Sequence, residues 1–238
     1  MGKVRYAPSA HRLEKGEPGN PVPFGNVADL IHRLGDIPAD RILMDPLPGT
    51  ANEEDLLRTL ERAESIPVEL IDGVLVEKAV GAKESLLAAW LVRALWDFAD
   101  ENDLGVVLGE GAPTRLRLGL VRLPDVSFVS WKRIPGGEFP DDGVSSLVPN
   151  LAIEVLSPSN TRREIELKLD EYFKAGVQAA WIIDPKSRSA RIYAARSRFQ
   201  EIGPDGNLAS ARILPGFRLT LRDLFAASQR RRKKRKPR

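Results

Sequence analysis

One stretch of this chain limits its possible folds more than any other. Leu151-Ala152-Ile153-Glu154-Val155-Leu156 is an apolar run interrupted by a single carboxylate. A short run of this kind, entered from Pro149-Asn150 and left through Ser157-Pro158-Ser159, reads as a central strand buried on both faces. An ionised Glu154 in such a strand is unfavourable by several kcal/mol unless it is paired, hydrogen-bonded or bound to a metal. Upstream, Pro124-Asp125 heads a second strand-like run, Val126 to Val129. If adjacent strands bring the two carboxylates together they repel, and a divalent cation relieves the repulsion.

The rest of the chain gives these strands a setting. Residues up to about Arg41 mix proline, glycine and charge, with room for a short helix over Val27 to Leu34. Thr50 and Glu53 have the spacing of a capping box for a helix running to about Glu64. Val68 to Glu77 reads as a hairpin turning at Asp72-Gly73, with Glu69 on the face of Ile71, Val74 and Val76. Lys83 to about Glu101 is an amphipathic helix whose apolar face carries Leu87, Ala88, Leu91, Leu95 and Phe98. Glu84 lies one turn before Leu87 and Ala88 on that face.

Short strands follow at Gly105 to Leu108, Thr114 to Leu118 and Val126 to Val129, then a loop from Ile134 to Pro149. A helix over Arg162 to Ala175 ends at Gly176 as a left-handed cap. Strands at Ala179 to Asp184 and Ala190 to Tyr193 lead to a hairpin around Asp205-Gly206 and a last helix near Leu221 to Ala227. Strands alternating with helices define a mixed α/β domain over residues 51–227. An irregular extension (1–50) precedes it and a basic tail (228–238) follows.

Composition removes several function classes. The 238 residues contain no cysteine, so disulfides and thiolate chemistry are out. Histidine only at positions 11 and 32 argues against a histidine-based triad or a multi-histidine zinc site. Gly109-Glu110-Gly111 lacks the third glycine of a dinucleotide fingerprint, and there is no phosphate-binding P-loop or nucleophile elbow. No membrane-length apolar run or secretory signal occurs, which makes a cytoplasmic location the expectation. Charge is uneven: the last nine residues carry eight of the 36 lysines and arginines, and the remainder is net acidic. Arg231, Arg232, Lys233, Lys234 and Arg235 thus read either as a solubilising tail or as a nucleic-acid-binding arm.

Asp125, Glu154, Glu69 and Glu84 are four acidic groups on or beside apolar faces. A hydrated Mg²⁺ held by two or three of them would account for the set and would activate water against a phosphodiester. Lys168, on the border of the helix stripe Ile165, Leu169, Tyr172 and Phe173, can reach back toward Glu154. There it would stabilise charge on phosphoryl oxygens. The plainer alternatives are a salt bridge from Glu154 to Arg122 or Arg162, and a surface pairing of Lys168 with Glu164.

Several strings together resemble a known family. They are Glu69-Leu70-Ile71-Asp72-Gly73, Pro124-Asp125-Val126-Ser127-Phe128-Val129, and Pro149 through Thr161 around Glu154. Lys168-x3-Tyr172-Phe173-x-Ala175-Gly176-Val177 and Trp181-Ile182-Ile183-Asp184-Pro185 complete the pattern. This is similar to the Uma-two family of bacterial restriction endonucleases in the PD-(D/E)xK nuclease-like superfamily, over about Ile66 to Phe225. The resemblance implies a restriction-endonuclease-like α/β core, a mixed β-sheet flanked by helices. It implies Asp125 and Glu154 as ligands of Mg²⁺ or Mn²⁺, with Glu84 or Glu69 as a further ligand. DNA would be the substrate, and a homodimer is compatible with cutting a two-fold symmetric duplex. The usual motif lysine two residues after the acidic group is Leu156 here, and Lys168 would replace it. A nuclease-fold binding module without turnover, and a structural protein with internal salt bridges, are the competing expectations.

Overall fold

The computed structural model describes residues 23–62, 66–79 and 81–228. Three sheets are present among them. Strands β1 (Val68–Ile71), β2 (Val74–Glu77), β4 (Thr114–Arg117) and β5 (Leu120–Arg122) form an antiparallel sheet in the order β2-β1-β5-β4. The larger sheet has the order β10-β9-β8-β7-β6-β3. Its strands are β3 (Gly105–Gly109), β6 (Val126–Ser130), β7 (Leu151–Val155), β8 (Ala179–Asp184), β9 (Ser189–Ala195) and β10 (Arg198–Ile202). Within it only β7 and β8 run parallel. A small antiparallel pair, β11 (Asn207–Ser210) and β12 (Leu214–Thr220), completes the set.

β7 is the apolar run met in the sequence, and every one of its five residues is buried. Its alternate side chains serve two layers. Leu151, Ile153 and Val155 join Trp181 and Ile183 of β8 under α3 (Ala82–Glu101) and α5 (Leu221–Ser228). On the opposite face Ala180 and Ile182 of β8 pack with Ile165 and Leu169 of α4 (Arg162–Ala175). Because residues alternate across a strand, Ala152 and Glu154 share the α4 face.

The four-stranded sheet meets α4 from its other side. Ile71, Val74, Val76, Leu116 and Leu120 cluster with Ala152, Tyr172 and Val177. Leu30 and Leu34, on and just after α1 (Val27–Arg33), and Ile37 and Ile42 belong to the same cluster. α4 is therefore wedged between two sheets, and its polar residues meet the seam between them.

The Asp72-Gly73 turn is as expected: Ile71 pairs with Val74, and both turn residues have positive φ, 48° and 80°. That pair of left-handed residues is what a two-residue hairpin requires. Gly176 caps α4 at φ 101°.

Two local expectations are corrected. The helix after Thr50 is α2 (Glu53–Leu60), capped by Asn52 with Asp55 completing the box, not by Thr50 and Glu53. Asn52 accepts from the Glu54 and Asp55 amides, whereas the Thr50 hydroxyl turns back to the Leu47 carbonyl. The expected end near Glu64 lies outside the described residues. The Asp205-Gly206 turn joins no hairpin: β10 pairs with β9, and β11 with β12. The turn closes locally through Gly206 N to Gly203 O and hands the chain from one sheet to another.

Candidate active site

The chain crosses from the small sheet to the large one at Leu123-Pro124-Asp125, between β5 and β6. Val126 pairs with Ile153, so Asp125 and Glu154 are opposed at the end of the β6–β7 ladder. Asp125 Oδ2 accepts from the Val155 amide at 2.5 Å. Its other oxygen accepts from Lys78 Nζ at 2.6 Å. Glu154 accepts from the Tyr172 hydroxyl through Oε1 and faces Lys168 Nζ at 3.4 Å through Oε2.

α4 supplies Glu164, Lys168, Glu171 and Tyr172 from one side, at the helical spacing i, i+4, i+7 and i+8. Lys168 Nζ also reaches Glu69 Oε1 at 3.0 Å. Glu69 accepts Arg122 Nη1 at 2.7 Å and the Leu123 amide at 3.1 Å. Arg122 Nε extends the chain to Glu171 at 2.7 Å. The result is a continuous buried ionic cluster along the seam. Of the plain alternatives, the buried salt bridge from Glu154 is present but to Lys168 and not to an arginine, since Arg122 goes to Glu69, while Lys168 lies 1% exposed, away from any surface pairing.

The cluster has a charge imbalance. Counted as fully ionised, Glu69, Glu110, Asp125, Glu154 and Glu171 are set against Lys78, Arg122 and Lys168, a formal excess of two carboxylates, and burial pushes Glu154 and Glu171 upward. Burial and the nearest charges set the titration shifts. Burial pushes the Glu154 carboxyl above its ordinary value; Lys168 opposes this and Asp125 reinforces it. Burial acts the same way on Glu69, but Lys168, Arg122 and Lys78 outweigh it and hold that carboxyl well below the carboxylate range. Burial would lower Lys168, yet Glu154 and Glu69 raise it further, so it remains an ammonium. Burial and the neighbouring Glu154 raise the Tyr172 phenol, which keeps it a proton donor.

Accessibility is lowest in the middle of the cluster. The side chain of Glu110 is 22% exposed and that of Asp125 10%, against 2% for Lys168 and 0% for Glu69. Glu171, beyond Arg122, is 17% exposed, so solvent reaches both ends of the cluster, at Glu110 and Asp125 and at Glu171.

Asp125, Glu154, Lys168 and Glu69 are thus brought together by the fold. The Glu84 carboxylate instead folds over the start of α3, with Oε2 2.1 Å from where a Gly81 side chain would begin. Among the described residues no three acidic or histidine side chains are arranged to hold an ion. Asp125 and Glu154 nevertheless fit a hard divalent cation, since Mg²⁺ is commonly held by one or two carboxylates and several waters. The formal excess of carboxylates in the cluster fits it as well. The basic positions from Arg231 to Arg235 lie outside the described residues.

Sequence reasoning missed Lys78 and Glu110. Lys78 had a signal: Val74 and Val76 share the Glu69 face, and the same alternation carried one step past β2 places Lys78 there too. Glu110, in the turn after β3, had none beyond its two glycine neighbours.

Comparison with known proteins places the chain in a family. A solved structure described as a putative nuclease belonging to DUF820, from Anabaena variabilis ATCC 29413, is similar to this chain with a TM-score of 0.64. The likeness covers 75% of this chain and 99% of that one at 21% identity, so the two share a fold. The family Uma2, described as putative restriction endonuclease, matches residues 54–222, and the chain belongs to that family. Among curated proteins no relative matches.

Proposed function

We propose that this protein is a Mg²⁺- or Mn²⁺-dependent DNA endonuclease that hydrolyses phosphodiester bonds with water. The observation that carries the reading is the opposition of Asp125 and Glu154 in a buried cluster with a formal excess of two carboxylates. Family membership supports the same reaction class.

Asp125 and Glu154 would hold the ion. When bound, it would supply positive charge to the scissile phosphate and lower the pKa of the attacking water. The protein's own groups prepare the site. The Tyr172 hydroxyl and Lys168 fix both oxygens of Glu154, and the Val155 amide fixes one of Asp125. Lys168, locked between two carboxylates, keeps a positive charge beside Glu154. The basic tail would add sequence-independent, salt-sensitive phosphate affinity.

The test is calorimetric titration of Mn²⁺ into the wild type and the Asp125→Ala and Glu154→Gln variants, followed by incubation with supercoiled plasmid. Wild type should bind and nick, and each variant should lose at least about 100-fold in nicking rate. Full activity in the doubly substituted protein would end the proposal. A second reading, a nucleic-acid-binding module without turnover, is favoured by the engagement of both Glu154 oxygens and by Leu156 at the usual lysine position. Salt-sensitive DNA binding with no nicking in any divalent metal would select it.

A further inference from the structure

Lys78 is a cluster cation that the reaction scheme above leaves without a task. Its side chain is 3% exposed, and Nζ lies between two acceptors: Asp125 Oδ1 at 2.6 Å and Glu110 Oε1 at 3.6 Å. The nearer is a hydrogen bond. The farther is not, and Glu110 Oε1 is a buried carboxylate oxygen with no hydrogen-bond donor. A buried acceptor left unsatisfied beside an ammonium is unfavourable, and it marks a second position for that ammonium.

Resting on the nuclease reading, we propose that Lys78 is a positioning residue for the metal. It is the internal counter-ion that neutralises Asp125 in the metal-free protein and transfers to Glu110 when a divalent cation binds at Asp125 and Glu154. The backbone need not move. Lys78 N is fixed to the Pro67 carbonyl at 2.7 Å, while the lysine stem is flexible and its head rotates freely among acceptors. Lys168 cannot serve in this way, since it is bonded to Glu69 at 3.0 Å, faces Glu154 and is sealed from solvent. An ammonium on Asp125 competes with an incoming cation for the same oxygen. Moved to Glu110, it satisfies the orphaned oxygen and remains at a solvent-reached end of the cluster, where a phosphate would arrive.

The experiment is Mn²⁺ calorimetry on the full chain without DNA, in a cycle of wild type, Lys78→Met, Glu110→Gln and the double variant. Removing the competitor should tighten Mn²⁺ binding by about tenfold. Glu110→Gln, which leaves Lys78 on Asp125, should weaken it by a similar factor. The double variant should bind like Lys78→Met, because Glu110 acts only through the lysine. If Lys78→Met does not fold, Lys78→Gln, which retains a donor for Asp125, takes its place. Wild-type binding that is unchanged on removal of the lysine would overturn the proposal and leave the nuclease reading standing. Weakening by Glu110→Gln in the lysine-free background would make Glu110 a ligand and also overturn it. Absence of Mn²⁺ binding in both wild type and Lys78→Met would sink this proposal and the metal site together.

Discussion

Lys168 is the residue on which the buried cluster depends, because among the described residues it is the one cation paired with both Glu69 and Glu154. Replacing it with methionine keeps the volume of the stem but leaves two carboxylates facing each other without their shared cation. Removing one partner of a buried ion pair costs about 3–5 kcal/mol. Lys168→Met should therefore lower the urea midpoint by an amount corresponding to that range, with the m-value unchanged. A loss below about 1 kcal/mol would mean that Arg122 and Lys78 already neutralise the cluster. What the sequence disclosed at this scale is instructive. The apolar run around Glu154 announced a buried carboxylate, and the stripe of α4 put Lys168 within reach. Partner choice was not legible, since Arg122 neutralises Glu69 through the packing of β1 against β5, a contact that no local pattern encodes.

At the scale of elements, α4 and the β1–β2 hairpin bring the cluster together, and both had strong local signals. Thr161 caps α4 by accepting from Glu164 N, and Gly176 ends it at the position that the sequence pattern indicates. The hairpin turn has an additional constraint. Gly73 adopts φ 80°, and a side chain there would start 2.6 Å from the backbone of Gly49, whose amide donates to Gly73 O. Gly73→Ala thus meets both a disfavoured backbone region and an immovable neighbour, and should destabilise the protein by more than about 1 kcal/mol. Thermal unfolding followed by circular dichroism would measure it; an unchanged midpoint would show that the 49–51 segment yields freely. Elements without such signals were harder to read. β5 has only three residues, and the Asp205-Gly206 turn has hairpin chemistry but connects strands that belong to different sheets. Turn residues specify a reversal of the chain, while the pairing beyond it is decided by which sheet edge is open.

Across the whole molecule, the segment before β1 holds the seam closed from outside. Arg41, 7% exposed, donates to both oxygens of Glu164 on the first turn of α4, at 2.7 and 3.1 Å, and to the Glu77 carbonyl at 2.8 Å. Thr161 Oγ bonds Gly35 O at 2.5 Å, and Gly35 lies so close to Glu164 that a side chain there would meet its Cα at 2.6 Å. The N-terminal residues Leu30 to Ile42 are thus packed into the same core as β1, β2 and α4. None of this was legible from a segment rich in proline, glycine and charge. Burial raises the Glu164 carboxyl, but the Arg41 hydrogen bond, Lys168, the charge of Arg41 and Asn160 together bring it below its ordinary value. A carboxyl depressed in the folded state contributes stability that is fully present above its unfolded pKa and is lost as pH falls through the folded one. Stability should therefore decline below the ordinary glutamate range, and Glu164→Gln should flatten that part of the acid limb. Arg41→Ala, which strands a buried carboxylate, should cost about 3–5 kcal/mol at neutral pH and less as Glu164 takes up a proton on acidification. Urea unfolding of the wild type and both variants from neutral to acid pH would measure these slopes. An Arg41→Ala deficit that stays constant over the whole range would show that the arginine acts through the Glu77 carbonyl and packing, and that its charge on Glu164 contributes nothing.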